Sequence, residues 1–102
     1  MRIEFYPVEK LKREVLAIVG KYLDLNTYRV FFFGSRVTGK NTEYSDIDIG
    51  IEGPAAVASG ILARIREEME NLPLLYKIEV VDFKKVSADF REVALRYVEE
   101  VA

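Results

Sequence analysis

The sequence predicts an α/β (α+β) fold: a small mixed β-sheet with helices packed against it, in the order α-β-β-α-β-α. Three observations predict it. Segments with apolar residues at helical spacing alternate with short β-branched or aromatic runs. One of those runs, Val30-Phe31-Phe32-Phe33, is apolar without a break, as in a central strand buried on both faces. Another, Ile47 to Ile51, places isoleucine at every second position, as in a strand with one face in a core. At 102 residues the chain reads as a single domain spanning residues 1–102, with no internal repeat, low-complexity stretch or dividing linker.

Taken in order, Pro7 opens the first helix. Val8, Leu11, Val15, Ile18, Val19 and Tyr22 then follow a helical period, and Gly20 weakens the helix end. Asp24 to Thr27 make a turn, and Tyr28 to Phe33 form the first strand. Gly34 to Ser45 is a loop, with room for a short helix directly after Ser35. Asp46 to Glu52 form the second strand. Gly53-Pro54 is a break and the start of the next helix, whose apolar face is Val57, Ile61, Ile65, Met69 and Leu72. Asn71 and Pro73 end it. Tyr76 to Phe83 form the third strand. Ser87 is an N-cap for the last helix, with Asp89 favourable in its first turn. Phe90, Val93, Ala94, Tyr97, Val98 and Val101 make up the apolar side of that helix.

Composition narrows the function. Fifteen basic residues against seventeen acidic leave no positive excess with which to neutralise nucleic-acid phosphates. Cysteine and histidine are both absent, which removes thiolate chemistry, the commonest general base and the usual zinc ligands. No apolar run reaches membrane-spanning length and the N-terminus lacks a signal peptide's apolar core, so a cytoplasmic location is expected.

The informative stretch is Gly34-Ser35, ten intervening residues, then Asp46-Ile47-Asp48. Alternation puts Asp46 and Asp48 on one strand face and the isoleucines on the other. Two carboxylates so close repel unless a cation or proton lies between them. Hard divalent cations such as Mg²⁺ take oxygen ligands of this kind. The stretch therefore reads as a phosphate-holding turn beside a metal-holding pair. Asp82 ends an otherwise apolar face at the C-terminal end of the third strand and is expected to join that pair; Glu79 is the alternative. Three carboxylates on adjacent strands suit two Mg²⁺ ions, which activate an attacking oxygen and stabilise a leaving pyrophosphate. Arg36 and Lys40 are candidate phosphate contacts. Tyr44 has two readings, stacking on a base or covering the core.

Phe33-Gly34-Ser35-Arg36, followed by Ser45-Asp46-Ile47-Asp48-Ile49 and a later strand acid, resembles the DNA polymerase beta-like nucleotidyltransferase superfamily. Within it the chain is most similar to the minimal nucleotidyltransferases, the MNT group of MntA-like antitoxins. The resemblance covers nearly the whole chain. It implies that Gly34 and Ser35 bind the β- and γ-phosphates of ATP. It also implies that Asp46 and Asp48 ligate Mg²⁺, and that Asp82 completes the metal site and helps deprotonate the acceptor hydroxyl. It further implies transfer of AMP, with release of pyrophosphate, to a tyrosine of a partner HEPN-domain toxin. Where such proteins often carry Arg, this chain has Thr38, and Glu43-Tyr44 stand where Pro-Asp is common; Arg36 or Lys40 is then the compensating cation.

Two other readings compete. Contact alone, with weak or no catalysis, would also neutralise a toxin. The segment Gly34 to Asn41 nearly matches a P-loop, but Asn41 replaces the metal-binding Ser or Thr, and a strand follows where a P-loop needs a long helix. The length leaves no room for a template-holding polymerase domain. The edge of a small sheet and the apolar last helix offer surfaces for self-association or for docking a toxin.

Overall fold

The unbroken apolar run becomes strand β1 (Arg29–Phe33), which follows helix α1 (Val8–Gly20) in a computed structural model that describes residues 1–42 and 45–102. Tyr44 lies outside the described residues. The chain continues through α2 (Ser35–Thr38), β2 (Ile47–Glu52), α3 (Ser59–Glu70), β3 (Ile78–Asp82), α4 (Ala88–Ala94) and β4 (Glu99–Glu100). The strands form one mixed sheet of order β3-β2-β1-β4. β1 runs antiparallel to β2 and β4, and β2 runs parallel to β3.

Burial on both faces of β1 is what the unbroken run required. Val30 and Phe32 join Ile47, Ile49, Ile51 and Val80 under α1 and α3, which contribute Leu11, Val15, Val19, Leu62, Ile65 and Met69. Phe31 and Phe33 point the other way and pack with Phe83 into a second cluster beneath the chain from Val86 to Val98. The Phe31 and Phe83 rings meet edge to face at 4.9 Å. Gly50 makes room for them, because a Cβ there would overlap both rings. Each fully buried Phe, Ile or Leu stabilises the fold by about 1.5–3 kcal/mol. The free edge of β3 is partly covered by Arg66, whose guanidinium donates to the Val80 carbonyl at 2.8 Å.

Two boundaries differ from the sequence expectation by more than two residues. α3 starts at Ser59, not at Pro54. Val57 is drawn into the core instead, its N–H donating to Asp82 Oδ2 at 2.7 Å while Lys85 Nζ donates to its carbonyl at 3.0 Å. The last helix stops at Ala94, so Tyr97, Val98 and Val101 do not lie on it. The outer edge of β1 needed hydrogen-bond partners. Glu99 and Glu100 pair with Phe32 and Phe31, and the Val101 N–H donates to the Val30 carbonyl at 3.1 Å. Val101 is buried as a result. The short helix anticipated after Ser35 is present as α2, and its four residues are far from the long helix of a P-loop. Among the described residues no helix is long and apolar enough to cross a membrane.

Candidate active site

Strand alternation turns the isoleucines of β2 towards α1 and α3, and Asp48 towards the opposite face. In the sheet register Phe33 stands opposite Asp48 on one side, and Glu79 pairs with Asp48 on the other. Paired residues in neighbouring strands share a face, so Asp48 and Glu79 look into the same space. That space is a cleft of about 560 Å³. Its polar lining is Gly34, Thr38, Asp48, Glu79 and Arg96, and its apolar wall is Phe33, Val81, Phe90, Val93, Ala94 and Tyr97. The volume falls within the usual range for small-molecule sites.

The turn after β1 is built around Asp48. Gly34 has φ 82°, a left-handed conformation, and a Cβ on it would overlap Asp48 Oδ2. Only glycine lets the backbone come so near the carboxylate. Ser35 starts α2, and its carbonyl accepts the Gly39 and Lys40 N–H groups at 2.9 and 3.0 Å. Gly39 then ends the helix in the left-handed region, with φ 83°.

The carboxylates crowd one another. The Asp48 carboxyl is pushed up to about 6 from its ordinary 3.8, first by burial and then by the charges of Asp46 and Glu79. Lys77 Nζ lies 2.9 Å from Glu79 Oε1, and its ammonium is held protonated by Glu79 above all, with Asp46 contributing. A cation is therefore already drawn to this acid group.

Asp82 is not part of it. Asp82 pairs with Ile51 and so lies on the face covered by α1 and α3, away from Asp48. It is buried, with Oδ2 accepting the Val57 N–H and Oδ1 accepting the Lys84 N–H at 3.0 Å. Its role is to pin the connection leading to α3. Glu79 occupies the place beside Asp48 that the sequence reading gave to Asp82. The alternation that puts Asp82 with Ile78 and Val80 was itself the signal, since those two face the core.

Arg36 also departs from the expected phosphate contact. It is 2% exposed, its guanidinium donates to the Ser45 carbonyl at 2.7 and 2.9 Å and to the Arg2 carbonyl at 3.1 Å, and it stacks 4.4 Å over the Tyr76 ring. It fixes the residue immediately before Asp46. Lys40 is exposed and does not line the cleft. Ser35 and Asp46 adjoin the cleft through Gly34 and Asp48 without lining it themselves. Arg96 was not singled out from the sequence, and Thr38 only as the residue standing where similar proteins often carry Arg. Phe90, Val93 and Tyr97 were read as one apolar helix side open to docking or self-association; with the helix ending at Ala94, all three line the cleft instead.

The nucleotidyltransferase domain family matches residues 8–99 of the chain. The chain belongs to that family. As a nucleotidyltransferase domain it is 35% identical over 85 residues to the probable protein adenylyltransferase MntA of Haemophilus influenzae, covering 81% of this chain and 75% of the relative. Its fold is that of a chain in a toxin–antitoxin complex with AMP-PNP, at TM-score 0.72 and 14% identity over 89% of this chain and 72% of the other. A similar match is a chain of a complex between tri-AMPylated Shewanella oneidensis HEPN toxin and its MNT antitoxin, at TM-score 0.68 and 15% identity, covering 92% and 71%.

Proposed function

We propose that this nucleotidyltransferase transfers AMP from ATP to a tyrosine hydroxyl of a HEPN-domain toxin and so acts as the antitoxin of a toxin–antitoxin pair in the cytoplasm. The observation that carries the reading is the packing of the Gly34 turn against Asp48, which brings that turn and a carboxylate into one cleft. The MntA relative is a probable protein adenylyltransferase, which supports the same activity here.

Gly34 and Ser35 hold the terminal phosphates. Asp46 and Asp48 hold Mg²⁺. The donors fit that ion, because they are carboxylate oxygens already crowded enough to raise Asp48. Mg²⁺ commonly takes one or two carboxylates and completes its shell with substrate phosphates and water. Among the described residues no group of three acids is gathered closely enough to hold a metal ion, so the three-carboxylate cluster expected from the sequence is not formed. When bound, the ion neutralises charge on the phosphates and on the leaving pyrophosphate.

Glu79 takes the proton from the attacking hydroxyl. It adjoins Asp48, and Lys77 orients its carboxylate. Arg36 acts indirectly, by fixing Ser45 ahead of Asp46.

The test is an incubation of the chain with Mg²⁺, ATP labelled at the α-phosphate and the cognate HEPN-domain protein. Label on a partner tyrosine that disappears in the Asp46→Asn/Asp48→Asn double variant is the expected result. A partner neutralised in a stable complex without label would replace transfer by binding alone.

A further inference from the structure

Among the described residues, four of the five tyrosine hydroxyls are engaged. Tyr6 donates to the Glu14 carboxylate and Tyr22 to that of Glu68. Tyr28 donates to the Ala55 carbonyl at 3.1 Å, and Tyr76 to the Glu4 carbonyl at 3.2 Å. None of these four lines the cleft that holds Asp48 and Glu79. Tyr97 does line it, is 66% exposed, and has no hydrogen-bond partner among the described residues. The other hydroxyl in the cleft, that of Thr38, donates to the Ser35 carbonyl at 3.2 Å. Among the described residues, the one uncommitted hydroxyl in the cleft is therefore a phenol, the acceptor type of the proposed reaction.

We propose that Tyr97 is itself an acceptor, and that the chain transfers AMP onto the Tyr97 hydroxyl within its own cleft. This rests on the nucleotidyl-transfer reading above. The Tyr97 oxygen forms a bond to the α-phosphorus of ATP. The bond between the α-phosphorus and the bridging oxygen breaks, and pyrophosphate leaves with its electron pair. The phenolic proton passes to the Glu79 carboxylate and from there to water. Tyr97 sits between the end of α4 and β4, in a segment with no regular backbone ladder of its own. That segment can bring the ring to the phosphate without unfolding either element. Tethering the acceptor in the same chain replaces an encounter by a local rearrangement, which raises the effective concentration of the hydroxyl.

The experiment incubates the full chain with Mg²⁺ and ATP, with and without its HEPN-domain partner, and follows intact mass and peptide maps. The expected result is an AMP increment approaching one per chain, mapped to Tyr97, with a rate constant independent of protein concentration. It is lost in Tyr97→Phe, which keeps the ring, and retained in Tyr28→Phe. Peptide mapping of the unsubstituted chain locates the group independently of either variant. A chain that labels its partner yet gains no AMP, or carries AMP only at another residue, overturns the proposal and leaves the transfer reading standing. A rate that rises with protein concentration overturns the intramolecular route. A chain that labels neither itself nor its partner overturns the transfer reading and this proposal with it.

Discussion

Asp48 and Glu79 are register partners in the parallel pair of β2 and β3, and both side chains face the cleft. Asp82, further along β3, pairs with Ile51 and is turned to the opposite face. An odd spacing of three residues along β3 therefore separates an acid that faces the cleft from an acid committed to the fold.

Asp82→Asn should lower stability by about 1–3 kcal/mol, because an amide nitrogen cannot accept one of the two backbone N–H groups that Asp82 now holds. In a domain of this size each kcal/mol is about 4–8 °C in Tm. Thermal unfolding followed by circular dichroism reads the shift. An unchanged Tm would contradict the pinning role.

Asp48 gives the metal-free protein a defined pH dependence. Its carboxyl is raised from 3.8 to about 6 in the folded state, so its contribution to stability is fully present below pH 3.8 and is lost as pH rises through 6. Asp48→Asn lacks that loss. At pH 7.5 without divalent ions the variant should be more stable by about 1 kcal/mol, after allowance for solvent screening at this half-buried position. The advantage should vanish as pH falls towards 4. Mg²⁺ should raise the Tm of the unsubstituted chain above pH 6, and much less in the variant. Denaturation across pH, with and without Mg²⁺, checks both statements.

The two left-handed glycines should respond differently to alanine. At Gly39, with φ 83°, a Cβ meets open space, so Gly39→Ala costs about 1 kcal/mol of backbone strain and leaves transfer intact. At Gly34, whose φ 82° and ψ −162° lie in a region open essentially only to glycine, the strain is larger and is joined by overlap with Asp48 Oδ2. Gly34→Ala should lose transfer by at least about a hundredfold, the scale of misplacing a reacting group by an ångström. Parallel measurements of Tm and transfer rate separate strain from clash.

Arg36→Lys should destabilise the chain by about 1–3 kcal/mol, since an ammonium cannot reproduce the guanidinium fork on the Ser45 and Arg2 carbonyls or its stacking on Tyr76. Transfer should slow because Asp46 loses its anchored neighbour, while the KM for ATP changes little. A large rise in that KM with unaltered stability would restore Arg36 as a phosphate contact.

Much of this was legible in the sequence because local pattern and global fold agree there. The Val30–Phe33 run could only be a strand buried on both faces, and the isoleucines of β2 fixed which way Asp48 points. The Gly34–Asp48 spacing carried the site. What stayed hidden depended on pairing between distant segments. Glu79, named from the sequence only as the alternative to Asp82, becomes a neighbour of Asp48 once β3 lies parallel to β2 in a particular register. Val101 continues a helical period on paper, yet the vacant edge of β1 captures it. Arg36, beside the Gly34-Ser35 turn in sequence, is drawn inward by carbonyls that the chain order does not reveal.

The most direct test is the initial rate of AMP transfer from ATP to the HEPN-domain partner, measured with saturating Mg²⁺ for Glu79→Gln and Asp82→Asn at a temperature where both are folded. The predicted result is a loss of about 10²- to 10⁴-fold in Glu79→Gln, the usual scale for removing a general base, with Asp82→Asn within a few-fold of the unsubstituted chain. The reverse ranking, with Asp82→Asn inactive and Glu79→Gln active, would contradict the assignment of Glu79 as the acid that serves the reaction.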